Sequence, residues 1–140
     1  MPDQYYNDFG NLLLGNPVHN RADLDTDDIR VFLYDEGTDP LDLADQDVAD
    51  ITAGARIAES ANLTSKTVGV VADGIFDHAA EVFSSVTGNE VDSLTYWAFN
   101  ATENIAPVLF NIDSATGLPV LPNGGDITWD PAAGGVLDVS

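Results

Sequence analysis

Positive charge is what this 140-residue chain has least of. Against 24 Asp and Glu it carries four basic residues, Arg21, Arg30, Arg56 and Lys66, for a formal net charge of −20. Nothing beyond Lys66 bears a fixed positive charge, so the second half presents carboxylates alone. Phosphate recognition depends on clustered Lys and Arg, which excludes nucleic acid as a partner. Cysteine is absent, and with it any disulfide framework, thiolate nucleophile or Cys-based zinc site. Long apolar runs are missing as well. Leu12-Leu13-Leu14 is the longest strictly aliphatic stretch, far short of the roughly 18 residues that cross a bilayer. The opening Met-Pro-Asp-Gln-Tyr-Tyr has no basic segment followed by an apolar one, so no secretory signal is expected. These absences predict a soluble protein made in the cytoplasm, without a membrane partner.

What is present is acid, mostly as Asp: 19 Asp to 5 Glu. Such a surface repels itself in dilute buffer and opposes compaction. At molar salt the screening length falls to about 3 Å and most of that repulsion disappears. Near-absence of lysine with a preference for Asp resembles proteins that work in brine, and it predicts a halophilic setting. The hydrophobic fraction, 44%, is ordinary for a globular chain, and this length suits one domain.

Apolar residues Tyr5, Tyr6, Phe9, Leu12 and Leu13 recur at spacings of three and four, predicting an amphipathic helix over Asp3 to Leu14, with Gly15 as its stop and Pro17 beyond. Residues 16–28 read as a polar connector, so that 1–28 forms a terminal arm. From 29 onward the pattern is of strands: Ile29–Tyr34, Ala55–Leu63, Thr67–Val71, Gly74–Val86 (irregular enough to hold a bulge), Val91–Asn100, Ala106–Ile112, Asp126–Asp130 and Gly135–Val139. Residues 38–54 are Asp-rich, a loop with a helical turn around Asp45 to Asp50. Turn residues punctuate the rest at Asp73-Gly74, Thr87-Gly88-Asn89, Ala115-Thr116-Gly117 and Pro122-Asn123-Gly124-Gly125. Short strands at this spacing without long helices predict a mainly β, single-domain antiparallel sandwich or barrel over 29–140 with a short N-terminal helix.

Residues that could carry chemistry are few. His19 and His78 are the only side chains that ordinarily titrate near neutrality. Asp77 precedes His78, and Ser84 and Ser85 follow, but no Gly-x-Ser-x-Gly elbow exists. Asp23-x-Asp25-x-Asp27 opens like a calcium loop, yet its sixth position is Asp28 where Gly is needed, and its twelfth is Tyr34 where a bidentate Glu belongs. That cluster, and Asp42, Asp45, Asp47 and Asp50, read as solvated acidic loops, with no metal or cofactor expected. Phosphate loops and dinucleotide fingerprints are absent. Asn62-Leu63-Thr64 and Asn100-Ala101-Thr102 match the glycosylation triplet, which carries little weight without an export signal. Trp97, Phe99, Phe110 and Trp129 fall in expected strands and read as core, with an interface role as the alternative.

Three stretches, ARIAESANLTSKTV (55–68), DGIFDHAAEVFSSVTGNEVDSLTYWAF (73–99) and IDSATGLPVLPNGGDITW (112–129), resemble a family of small structural proteins of tailed viruses of bacteria and archaea. The likeness extends to the Tyr5 to Phe9 start and to the strand DIRVFLYD. It is most specific over Asp113 through Ile127, where Thr116-Gly117 and Asn123-Gly124 supply turns and Pro119 and Pro122 keep the intervening segment extended. His78 departs from the family's small residues at that point, and the DPAAGGVLDVS tail is more acidic than in usual relatives.

The resemblance implies a virion component and not an enzyme. The leading expectation is a capsid decoration protein, cementing subunits of the head. Its partners would be the major capsid protein and copies of itself, most simply as a trimer. Tyr5, Tyr6, Phe9, Leu12 and Leu13 are the residues expected to attach it. The alternative is a tail-tube, tail-completion or head–tail connector component, with segment 38–54 as its projecting loop.

Overall fold

Ile29-Arg30-Val31-Phe32-Leu33-Tyr34 holds large apolar and β-branched side chains with little polar alternation, the pattern of a strand covered on both faces. That strand organises the fold. In the computed structural model, which describes residues 4–14, 23–70, 74–132 and 135–138, it is β2 (Ile29–Tyr34) and lies inside a five-stranded antiparallel sheet of order β1-β8-β7-β2-β3. The partners are β1 (Gln4–Tyr5), β3 (Arg56–Glu59), β7 (Ser93–Ala98) and β8 (Val108–Ile112). The β2–β7 register runs unbroken from Ile29↔Ala98 to Tyr34↔Ser93.

One face of this sheet packs Ile29, Val31 and Leu33 with Leu94, Tyr96 and Phe110. It is covered by a small sheet of β4 (Thr67–Val68), β5 (Ile75–Asp77) and β10 (Leu137–Asp138), by a ribbon of β6 (Glu81–Phe83) and β9 (Ile127–Trp129), and by α1 (Phe9–Leu14). The other face packs Phe32, Tyr34 and Trp97 against Val48, Ile51 and Ala55 of the Asp-rich segment. The expectation of a mainly β, antiparallel single domain with one short N-terminal helix is therefore met.

The Asp-rich segment 38–55 is a strap and not a projecting loop. Val48, Ile51 and Ala55 are buried in the core and Leu41 packs against it, while Asp42 and Asp50 stay exposed. Its backbone is stitched to the sheet by Val48 N–H to Ala106 O (2.8 Å), Val108 N–H to Gln46 O (3.0 Å) and Asp35 N–H to Ala55 O (2.9 Å). The helical turn expected around Asp45 to Asp50 is a single 3₁₀ turn at Val48–Asp50, followed by another at Ala53–Ala55.

Two expectations are corrected. The helix predicted over Asp3 to Leu14 begins only at Phe9, because Gln4 and Tyr5 pair with Asn111 and Phe110 of β8. That pairing satisfies backbone groups along an otherwise open sheet edge. Of the described residues in the expected terminal arm 1–28, β1 belongs to the central sheet and Leu24 is buried in the first core. The connector residues 15–22 lie outside the described residues. The Gly74–Val86 run is two strands in two different sheets, with β5 pairing to β4 and β10 and β6 pairing to β9. The break falls at residues 78–80, where Ala79 N–H turns to bond Thr64 O at 3.0 Å. The turn glycines 117 and 124 do take positive φ (97° and 86°), which costs glycine least. At Gly135 (φ 84°) a Cβ would strike Ile75 Cγ2 and come within 2.8 Å of Phe76 O, so only glycine fits beneath β5.

Candidate functional site

The described cations are all engaged within the chain. Arg30 forms a two-pronged pair with Asp28 (Nε–Oδ1 2.8 Å, Nη2–Oδ2 2.9 Å) and lies 3.6 Å above the Phe99 ring. Arg56, its side chain nearly buried, bonds Glu59 at 2.9 Å and Glu103 at 3.1 and 3.2 Å. Lys66 donates to Asn62 Oδ1 and to Leu63 O. Arg30 and Arg56 are thus paired with carboxylates, whereas Lys66 bonds two neutral oxygens and keeps its charge, so the described exterior is anionic apart from Lys66. Arg21 lies outside the described residues.

One anionic concavity is an open groove of about 550 Å³ between the turn after β2 and the turn before β7, lined by Asp35, Glu36, Glu90, Asp92 and Leu121. Its base is the Asp35 carboxylate, only 4% exposed. Oδ1 accepts from Gly37 and Thr38 N–H (2.9 and 3.1 Å), and Oδ2 from Thr38 Oγ1 and Asn89 Nδ2 (2.5 and 2.9 Å). The hydrogen bonds from Thr38 and then Asn89 hold this carboxyl below its ordinary pKa. With every acceptor direction used, Asp35 clamps two turns together. Asp35→Ala would leave those donors unmatched and should cost about 2–3 kcal/mol in urea unfolding at neutral pH. Because the folded pKa is depressed, the clamp acts above the ordinary Asp value and is lost as pH falls through the folded one. An Asp35→Ala protein as stable as its parent at pH 7 would refute the clamp.

A second concavity, of about 250 Å³, is mainly apolar. Leu33 and Leu94 of the central sheet form its floor, and Ile127 and Trp129 of β9 one wall. The remaining wall is residues 115–118 and Val120, within the segment Asp113 through Ile127 that the sequence singled out. Val91 and Val120 bond each other's backbones at 2.8 and 3.0 Å and hold that segment down.

The candidate residues fall as follows. Tyr6, Phe9 and Leu12 are buried in the protein's own cores, Tyr6 beneath the strap and the other two on the opposite face of the sheet. They do not share one outward face, so attachment through them is corrected: the domain itself already covers these side chains. Tyr5 is 45% exposed and stacks on Phe9 (centroids 5.6 Å apart). Leu13 lies on α1, its side chain outside the described residues, as is His19.

His78 is buried (6% exposed) with both ring nitrogens engaged: Nδ1 to Ala79 O at 2.6 Å and Nε2 to Tyr96 Oη at 2.7 Å. Asp77 accepts from the His78 backbone N–H and not from the ring, and Ser84 and Ser85 are exposed. Ser, His and Asp are not brought together. Asp23 and Asp27 close a local turn (Asp23 N–H to Asp27 Oδ2, 2.8 Å). Among the described residues no group of three or more His, Asp or Glu is placed to hold a metal ion, and no helix is long and apolar enough to cross a membrane. Trp97 and Phe110 are core, whereas Phe99 is 39% exposed beneath Arg30.

Sequence reasoning missed the Tyr96–Trp129 bond (Nε1–H to Oη, 2.6 Å) and the Asp35 clamp. Tyr96 lies 18 residues from His78 and 33 from Trp129, and Asn89 lies 54 from Asp35; no local pattern signals contacts of that range. A scan against protein-family models and a search of curated proteins find no match to this chain.

Proposed function

We propose that this protein is a structural component of a tailed virus particle, displayed on the head as a decoration protein. The observation that carries this reading is the pairing of Arg30 and Arg56 with carboxylates of the same chain, which leaves a described exterior of carboxylates with Lys66 as its one unpaired positive charge. An exterior of that kind keeps particles apart and does not adhere to DNA, and it suits a host in brine. The likeness of residues 55–129 to small virion proteins supports the same reading. Attachment then falls to surfaces other than the terminal helix. The exposed apolar residues available include Val68, Val70, Val82, Ile105 and Leu121.

A tail or connector role could use segment 38–54 as a long loop, which the strap's packing over Phe32 and Trp97 does not favour, although an acidic surface also suits a channel through which DNA slides. The test is labelling of purified particles with an antibody raised against this chain. Gold on the heads is the expected result. Gold confined to tails would favour the tail reading, and unlabelled particles that also lack the chain by mass spectrometry would refute a virion role.

A further inference from the structure

One buried chain of hydrogen bonds joins three parts of the fold. Trp129, at the end of β9, donates from Nε1 to Tyr96 Oη on β7 at 2.6 Å. Tyr96 Oη is 2.7 Å from His78 Nε2, and His78 Nδ1 is 2.6 Å from Ala79 O. An indole N–H only donates and a carbonyl only accepts, so the chain has one direction: Trp129 to Tyr96, Tyr96 O–H to Nε2, and Nδ1–H to Ala79. This requires a neutral imidazole protonated at Nδ1. Among the hydrogen bonds of the described residues, the Trp129 bond is the one linking β9 to β7.

A second proton on His78 breaks this order. Nε2 becomes a donor facing a hydroxyl that already accepts from Trp129, and the Tyr96 proton must find another acceptor. Among the described residues Tyr96 Oη has no hydrogen bond besides those to His78 and Trp129: Tyr96 is fully buried, stacked on Phe110 (centroids 4.5 Å apart) and edge-on to Phe76 (6.4 Å). A buried donor left without a partner is costly. The charged groups acting on His78 are Asp77 beside it, Asp130 next to Trp129, and Lys66 near β4. The two carboxylates favour the imidazolium and Lys66 opposes it, while burial is the largest influence and holds the histidine below its ordinary pKa. Trp129 is also a wall of the apolar cavity whose floor is Leu33 and Leu94.

The geometry points to an acid-sensitive latch: protonation of His78 releases Trp129 from the central sheet and opens the apolar cavity between that sheet and β9. The latch holds above the ordinary histidine pKa and weakens as pH falls from there through the lower, folded value. It does not depend on where in a particle the protein acts.

Proton NMR of the full chain in molar salt tests it, because the two indole N–H groups differ: Trp129 is hydrogen-bonded, whereas Trp97 Nε1 is buried without a partner. Trp129→Phe assigns the pair, and His19→Asn assigns the His78 ring proton. Between about pH 7.5 and pH 4.5, the Trp129 resonance should leave its hydrogen-bonded position along the same curve as the His78 ring. Trp97 and the far-ultraviolet circular dichroism should stay fixed. In His78→Gln the Trp129 resonance should stop responding; if that variant does not fold, the shared curve in the parent protein decides alone. Three outcomes overturn the latch: a Trp129 resonance unmoved while His78 titrates, a His78 ring that stays neutral across the range, or loss of both indole signals together with the circular dichroism.

Discussion

Phe32→Ala is expected to cost about 3–5 kcal/mol and Leu33→Ala about 2–5 kcal/mol, although the two are neighbours on one strand. Adjacent side chains of a strand point to opposite faces, so a sheet with one solvated face would show one large loss and one small one. Here Phe32 (0% exposed) packs beneath the strap with Val48, Ile51 and Trp97, and Leu33 (1% exposed) packs on the other side with Leu94. Neither site can relax toward water. Val82→Ala is the control, since Val82 is 51% exposed on β6, and it should change stability by less than about 0.5 kcal/mol. Urea unfolding at fixed molar salt measures all three. A Phe32→Ala protein within about 1 kcal/mol of its parent would mean that the strap does not cover the sheet.

That double burial explains which parts of the fold were legible in the sequence. β2 was evident because both its faces need apolar cover, so it reads as a dense apolar run. β7 and β8 were evident from their large apolar residues, although the buried Ser93, Thr95 and Asn111 interrupt them and bond one another. The turns at Gly117 and Gly124 were evident because their backbone dihedrals favour glycine. The terminal segment was misread for a physical reason: Tyr5, Tyr6, Phe9 and Leu12 keep helical spacing, but the open edge of β8 captures the first two as strand and neighbouring backbone. The strap's inward set, Leu41, Val48, Ile51 and Ala55, keeps helix-like spacings of seven, three and four, but the Asp residues between them made the segment look like a solvated loop. It folds as two single 3₁₀ turns and not as a helix. His78 was noticed, but with the wrong neighbours. Its long-range partner is Tyr96 of β7, which in turn accepts from Trp129, and only the folded topology brings them within reach.

In dilute salt the protein is expected to lose about 3–6 kcal/mol of stability relative to molar salt. Two unit charges 10 Å apart in water repel by roughly 0.4 kcal/mol, and 24 carboxylates against four cations create many such pairs. An expanded chain suffers less from them than a compact one. Thermal melting in about 0.02 M and about 2 M KCl, where the screening length falls from tens of ångströms to about 3 Å or less, should therefore give a much lower midpoint in the dilute buffer. Excluded ions also strengthen apolar burial, so the salt effect alone does not identify repulsion. Asp45 does. Burial first, then the carboxylates of Asp42, Asp50 and Asp39, push its pKa up to about 6. A carboxyl with a raised folded pKa binds its proton more tightly when folded. Its penalty is therefore complete above pH 6 and is relieved as pH falls toward the ordinary Asp value. The full shift corresponds to about 3 kcal/mol, and water reaching a half-buried group leaves about 1 kcal/mol. Asp45→Asn should accordingly be more stable than its parent by about 1 kcal/mol at pH 7 in dilute salt. The two proteins should converge near pH 4, and in molar salt the difference should shrink to what burial alone imposes. The difference between parent and variant also isolates Asp45 from His78, whose depressed pKa lowers stability over much of the same pH range. If Asp45→Asn gains nothing at pH 7 in dilute salt, crowding of carboxylates along the strap is not what makes this fold depend on salt.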